Sequence, residues 1–253
     1  MLVGAFLLLL SMKKEAKLAV LIDGDNIPAK YVKELLEEVS KYGTPTLKRI
    51  YADWTKPQMA KWKAVLLENA VTPVQQYAYT TGKNATDSAM IIDAMDILYS
   101  DSVDGFCLVS SDSDFTKLAT RLREAGMNVY GLGEKKTPNP FIVACDKFIY
   151  LEILKSDESD AEDKAKTKKR QVDKITNAEL KFLRNCVTDT ADEDGWAFLG
   201  DVGSLILKKR PNFDARNYGY EKLSALFKST KQFEMERREA GNNRNKLVYI
   251  RKK

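Results

Sequence analysis

Two apolar runs that stop abruptly at aspartate constrain this chain more than any other feature. Residues Leu18–Ile22 run straight into Asp23-Gly24-Asp25-Asn26, and Phe106–Val109 into Ser110-Ser111-Asp112-Ser113-Asp114. A short continuous apolar run bounded by turn residues reads as a strand buried on both faces, and such strands belong to parallel sheets. Open parallel sheets bind ligands beyond the carboxyl ends of their strands. Asp23 and Asp112 therefore stand at the functional edge. Carboxylates crowded there repel each other, and they recruit a divalent cation or share protons. The donors are hard oxygens with no Cys or His among them, which suits Mg²⁺ or Mn²⁺ and not Zn²⁺.

The rhythm around these runs supports the same class. Strand candidates fall at 18–22, 46–51, 73–78, 105–109, 127–132 and 147–151, and amphipathic helix candidates at 28–41, 57–69, 86–99 and 114–125. Pro28 and Pro57 suit first helical turns, and Gly126 suits a helix stop. Alternation of this kind predicts an α/β domain, a doubly wound parallel sheet over residues 18–153.

The pattern then changes. Residues 156–172 hold an acidic block followed by a basic one and almost nothing to bury. They are expected to form a charged flexible linker, with a reach of about 20–25 Å. Beyond it, Thr176 and Glu179 have capping-box spacing for a helix at 176–188. Helices at 199–209 and 215–228 follow, then strands at 232–236 and 246–251 around Gly241-Asn242-Asn243. Three helices and a hairpin predict a small winged helix-turn-helix over 173–253. The chain's whole formal charge of +5 falls in that last segment, which suits a module that holds a polyanion beside a domain that acts on it.

There is no histidine, so general-base chemistry must come from carboxylates, lysines, hydroxyls or a metal-activated water. Cys107, Cys145 and Cys186 form no CxxC and read as reduced core thiols of a cytoplasmic protein. The apolar residues 1–11 are too short to span a bilayer and lack a basic start and an Ala-x-Ala site. They are expected to be an appendage before Met12, with a weak membrane tether as the alternative.

Each candidate residue also has a bland reading. Asp23 continues its strand and is a metal ligand or an ordinary loop carboxylate. Asn26 is a phosphate contact or a helix cap. A helix start needs only one cap, and Ser111, Asp112 and Asp114 supply oxygen beyond that need. Asp87 opens the helix at 86–99 and shares a stripe with Met90, Ile91, Ala94 and Leu98, so it points toward the sheet edge. Asp93 and Asp96 face elsewhere and read as solvation or caps. Lys83 and Asn84 hold a phosphate or form loop. Trp54, Trp62, Tyr77 and Tyr79 read as packing before base stacking. Lys208, Lys209, Arg210, Arg216, Lys222, Arg237, Arg238 and Arg244 form the basic surface of the tail.

The three aspartate segments, Ile22–Asn26, Asp87 after Gly82-Lys83, and Val109–Phe115, resemble the NYN family, a PIN-like ribonuclease group that includes LabA-like proteins. Gly195-Trp196, Asp201-Val202-Gly203, Phe213-Asp214 and Tyr218–Leu223 resemble an OST-HTH/LOTUS domain. The resemblance implies a metal-dependent ribonuclease with Asp23, Asp87, Asp112 and Asp114 in an acidic pocket. It implies an RNA-binding tail. The partner is expected to be single-stranded or structured RNA, with Asn26, Ser111, Lys83, Arg216 and Lys222 as substrate contacts. No stable membrane association is expected. The alternative is a non-catalytic RNA-binding adaptor with a vestigial pocket. A haloacid-dehalogenase-type phosphotransferase is disfavoured, because Ile27 stands where its Asp-x-Asp motif calls for Thr or Val.

Overall fold

A computed structural model describes residues 15–77, 85–154, 172–240 and 243–253. Residues 1–11, Tyr79, Lys83, Asn84 and nearly all of the expected linker lie outside the described residues. Strands β1 (Lys17–Asp23), β2 (Thr44–Ala52), β3 (Thr72–Gln75), β4 (Gly105–Val109), β5 (Asn128–Gly133) and β6 (Lys147–Tyr150) form one sheet in the order β3-β2-β1-β4-β5-β6. Every neighbouring pair is parallel. Helices α1 (Val32–Val39), α2 (Ala60–Leu66), α3 (Ala85–Tyr99), α4 (Thr116–Glu124) and α5 (Asn139–Ala144) connect them. The doubly wound expectation holds. Helix α5 has no counterpart among the expected elements; proline in its first turn suits that position.

Strand period decides which side each residue serves. Leu18, Val20 and Ile22 of β1 pack with Leu35 and Val39 of α1, Trp62 of α2 and Met59 in the turn just before α2. Ala19 and Leu21 pack on the other face with Met90 and Ala94 of α3 and Leu118 of α4. Strand β4 alternates likewise, with Cys107 and Val109 on the first side and Phe106 and Leu108 on the second. The strand order reverses between β1 and β4, so the switch point of the sheet lies where both aspartate segments begin.

The C-terminal part contains α6 (Asn177–Thr190), β7 (Trp196–Phe198), α7 (Leu199–Lys209), α8 (Leu223–Ser229), β8 (Phe233–Ala240) and β9 (Asn243–Lys252). The capping box is present: Thr176 Oγ1 accepts from the Glu179 amide at 3.2 Å, and Glu179 Oε2 from the Thr176 amide at 2.6 Å. The expected hairpin is β8–β9, and β7 adds a third antiparallel strand. The expected helix 215–228 is a correction. A 3₁₀ turn, Ala215–Tyr218, ends at Gly219 with φ 81°, and α8 starts afresh four residues later. That left-handed conformation stops a helix.

The two parts touch. The Phe148 amide on β6 donates to the Pro211 carbonyl at 2.8 Å. Asn212 Nδ2 donates to the Tyr150 hydroxyl at 2.9 Å, and Lys135 pairs with Asp173 at 2.9 Å. Arg216 pairs with Glu38 at the end of α1. A cleft of about 370 Å³ lies beside these contacts, lined by Glu38, Lys41, Tyr42, Lys147 and Arg216. All of these contacts are made by residues outside the expected linker.

Cys107, Cys145 and Cys186 are buried free thiols, as expected. Among the described residues no helix is long and apolar enough to cross a membrane.

Candidate metal centre

Alternation along β1 places Asp23 on the side of Ala19 and Leu21, facing α3. The same rule on β4 carries Phe106 and Leu108 on to Ser110. The two side chains meet: Ser110 Oγ donates to Asp23 Oδ2 at 2.7 Å. Asn26 Nδ2 donates to the same oxygen at 2.7 Å. Asp23 is 1% exposed, and its Oδ1 is buried without a hydrogen-bond partner. Burial raises its pKa; the Ser110 and Asn26 hydrogen bonds oppose that rise, and the charge of Asp25 adds to it.

Ser110 also orders the neighbouring segment, because its Oγ accepts from the Asp112 amide at 3.0 Å. Asp112 Oδ1 in turn accepts from the Asp114 amide at 2.9 Å and caps the short turn Ser113–Phe115. Phe115 is buried and anchors that turn in the core. Asp112 thus serves as the one cap the helix needs, and Asp114 remains exposed beside it.

Asp87 arrives from α3. It is 9% exposed and faces the same acidic group. Burial, then the charges of Asp23, Asp112, Asp114 and Asp25, push its pKa up to about 6. Asp87, Asp112 and Asp114 each offer an oxygen within 4.8 Å of the others. That spacing allows one cation to be shared among three carboxylates, with Asp23 buried beside them.

The remaining candidates have other surroundings. Asp25 binds Lys56 Nζ at 3.2 Å and accepts from Thr86 Oγ1 at 2.9 Å, so it ties the β1–α1 loop to the start of α3. Ser111 Oγ accepts from the Glu134 amide at 2.9 Å and braces the loop after β5. Gly133 lets that loop close, since a Cβ there would lie 2.5 Å from the Ser110 carbonyl oxygen. Asp93 pairs with Arg49 and Tyr51 on β2, so it ties α3 to the sheet and is neither a helix cap nor a solvating carboxylate, the roles expected of it. Trp62 is core, and Trp54 Nε1 donates to the Val74 carbonyl at 3.0 Å. Lys222 is exposed on the tail, whereas the Arg216 donors are engaged by Glu38 and Asp214. Lys83 lies outside the described residues. Sequence reasoning missed Ser110 as the link between the acidic segments. Its signal was the two-residue period shared with Phe106 and Leu108.

A parallel α/β sheet with acids gathered at its switch point, followed by a small helical module with its own sheet, fits a PIN-like fold joined to an OST-HTH unit. The model of the NYN domain matches residues 17–152, and the chain belongs to this nuclease-like family. The model of the OST-HTH/LOTUS domain, an RNA-binding module, matches residues 173–244. Among solved structures, a protein of unknown function from Vibrio parahaemolyticus is 20% identical with a TM-score of 0.47; the match covers 55% of this chain and 94% of that one. An uncharacterized protein from Nitrosomonas europaea is 34% identical with a TM-score of 0.30 over 34% of this chain and 82% of that one. The comparison with curated proteins found no match.

Proposed function

We propose that the protein is a Mg²⁺- or Mn²⁺-dependent ribonuclease of the cytoplasm that hydrolyses phosphodiesters of single-stranded or structured RNA. The observation that carries this reading is the convergence of Asp87, Asp112 and Asp114 within 4.8 Å at the sheet's switch point. The donor set fits a hard divalent cation, since it is all oxygen. The raised pKa of Asp87 and the unpartnered buried Oδ1 of Asp23 mark a site with negative charge left uncompensated by the protein. Asp87, Asp112 and Asp114 would hold the cation, and Asp23 would complete the acidic wall. Bound there, the cation supplies Lewis-acid stabilisation of charge on a scissile phosphate.

The chain's own residues prepare that site. Ser110 and Asn26 fix one Asp23 oxygen and leave the other buried without a partner. Asp25 and Thr86 hold the start of α3, and with it Asp87, against the β1–α1 loop. The tail contributes RNA affinity through its basic residues, Lys222 among them.

Cleavage of single-stranded and hairpin RNA with Mn²⁺, comparing wild type with Asp112→Asn, tests the reading. Asn still caps the turn, so the fold persists while cleavage is lost. Equal cleavage by the variant overturns the assignment. RNA binding without any metal-dependent cleavage by the wild type would make the protein an adaptor.

A further inference from the structure

The outer face of the tail's small sheet carries a second, unassigned feature. Ala197, Ile250 and Phe233 point into the helical core of the tail. By strand alternation, Trp196 and Phe198 of β7, Glu234, Glu236 and Arg238 of β8, and Tyr249 and Arg251 of β9 take the opposite face. The register places Trp196 beside Arg251 and Phe198 beside Tyr249. On that face the arginines lie over the rings. Arg238 Cζ is 5.0 Å from the Trp196 ring centre and 4.4 Å from that of Tyr249. Arg251 Cζ is 4.7 Å from the Trp196 ring centre. Phe198 and Tyr249 sit 5.8 Å apart, centre to centre.

The acidic neighbours bind the edges of these guanidinium groups. Glu234 Oε2 accepts from Arg251 Nη2 at 2.7 Å, and Glu236 Oε2 from Arg238 Nη2 at 3.3 Å. Both arginine side chains remain about two-fifths exposed, 37% for Arg238 and 41% for Arg251. A guanidinium accepts hydrogen-bonding partners in its plane and stacking partners on its faces. Fixing its edges while its side chain stays accessible prepares it for a flat partner.

We propose that this face is a base-stacking platform for single-stranded RNA, with Arg238 and Arg251, held over the Trp196 and Tyr249 rings, receiving unpaired bases. Unpaired RNA bases stack on aromatic rings and on guanidinium planes, and such stacking tolerates many sequences. The module as a whole carries the chain's +5 charge, which favours a polyanion; on the face itself Glu234 and Glu236 balance the two arginines, so stacking on the flat groups, not local charge, selects a base. The platform rests on the reading of the tail as RNA-binding, but not on the acidic site.

Fluorescence anisotropy on the full chain in EDTA tests the proposal without cleavage. The probes are labelled 12-nucleotide oligoadenylate and an abasic ribose-phosphate oligomer of equal length. The wild type is expected to bind oligoadenylate about tenfold tighter than the abasic probe, the scale of a stacked base. Arg238→Lys keeps the charge but removes the flat group, and it should erase most of that preference, with oligoadenylate affinity falling toward that of the abasic probe. Trp196→Leu should act likewise, and Trp196→Phe should restore the preference. A wild type that binds both probes equally, or binds neither, overturns the platform, as does a full preference in Arg238→Lys. Loss of the platform alongside normal Mn²⁺-dependent cleavage would leave the ribonuclease reading standing, so the two fail separately.

Discussion

The guanidinium of Arg216 donates two parallel hydrogen bonds to Glu38, from Nη1 to Oε2 at 2.8 Å and from Nη2 to Oε1 at 2.7 Å, across 178 residues of chain. The same guanidinium reaches Asp214, from Nε to Oδ1 at 3.0 Å and from Nη2 to Oδ2 at 2.7 Å. Glu38 also accepts from Lys41 at 2.6 Å and from Tyr42 at 2.8 Å, and it is only 3% exposed. A forked cation matching a buried carboxylate is a strong and geometrically specific contact. It sits where the tail meets the sheet domain.

Removing one member should therefore be costly. Arg216→Ala leaves Glu38 buried with a weaker set of partners, and the loss is expected to be about 3 kcal/mol. The check is thermal or urea unfolding beside wild type, with proteolysis of the tail as a second readout. An unchanged midpoint would show that the contact carries no stability.

The same pair gives a pH dependence. Burial disfavours the charged form of Glu38, but hydrogen bonds from Arg216, Lys41 and Tyr42 and the charge of Arg216 prevail and hold its pKa at about 2, below the ordinary 4.5. A depressed carboxylate stabilises the fold fully above the unfolded value and loses that contribution as pH falls through the folded one. The stability gap between wild type and Glu38→Gln should thus be largest above pH 4.5 and shrink toward pH 2. Urea midpoints for both proteins from pH 6 down to 2 measure this. A gap that stays constant across that range would remove Glu38 as its source.

Ser110 holds Asp23 and the Asp112 amide with one hydroxyl. Ser110→Ala leaves that amide unpaired and deprives Asp23 of one of its two side-chain donors, a cost of about 1–3 kcal/mol. Cleavage should fall by about 10–100-fold, the scale of losing a hydrogen bond that supports the surroundings of a metal site. Activity equal to wild type would show that Asp23 needs no such support.

Divalent cations should stabilise the wild type. At a hundredfold excess over the dissociation constant the gain is about 2.7 kcal/mol. The double variant Asp87→Asn, Asp112→Asn should melt higher than wild type in EDTA, because like charges no longer repel. It should gain nothing from Mn²⁺. A wild type whose melting temperature ignores Mn²⁺ would argue against the site.

The sheet and its acids were legible because each rests on local pattern. Leu18–Ile22 and Phe106–Val109 announce buried strands, and Asp87 follows the apolar stripe of its helix. Other features needed tertiary information or a finer reading. Glu38 and Arg216 are ordinary surface-type residues until the fold brings them together. Strand β7 has three residues and becomes a strand by pairing with β9. Gly219 does carry a stop signal, but a glycine there also suits close helix packing, so Ala215 to Lys228 reads as continuous helix. Ser110 is hard to single out because its neighbour Ser111 offers the same oxygen, and that hydroxyl serves the Glu134 amide instead.

The bond from Phe148 to Pro211 has a bearing on solubility. Strand β6 is an outer strand of the sheet, and an outer strand offers its amides as a template for another chain. Here the tail covers that margin with a residue that has no N–H of its own, so Pro211 accepts from β6 and cannot pass a ladder onward. An NYN domain produced without its tail would regain an open margin and a route to self-association.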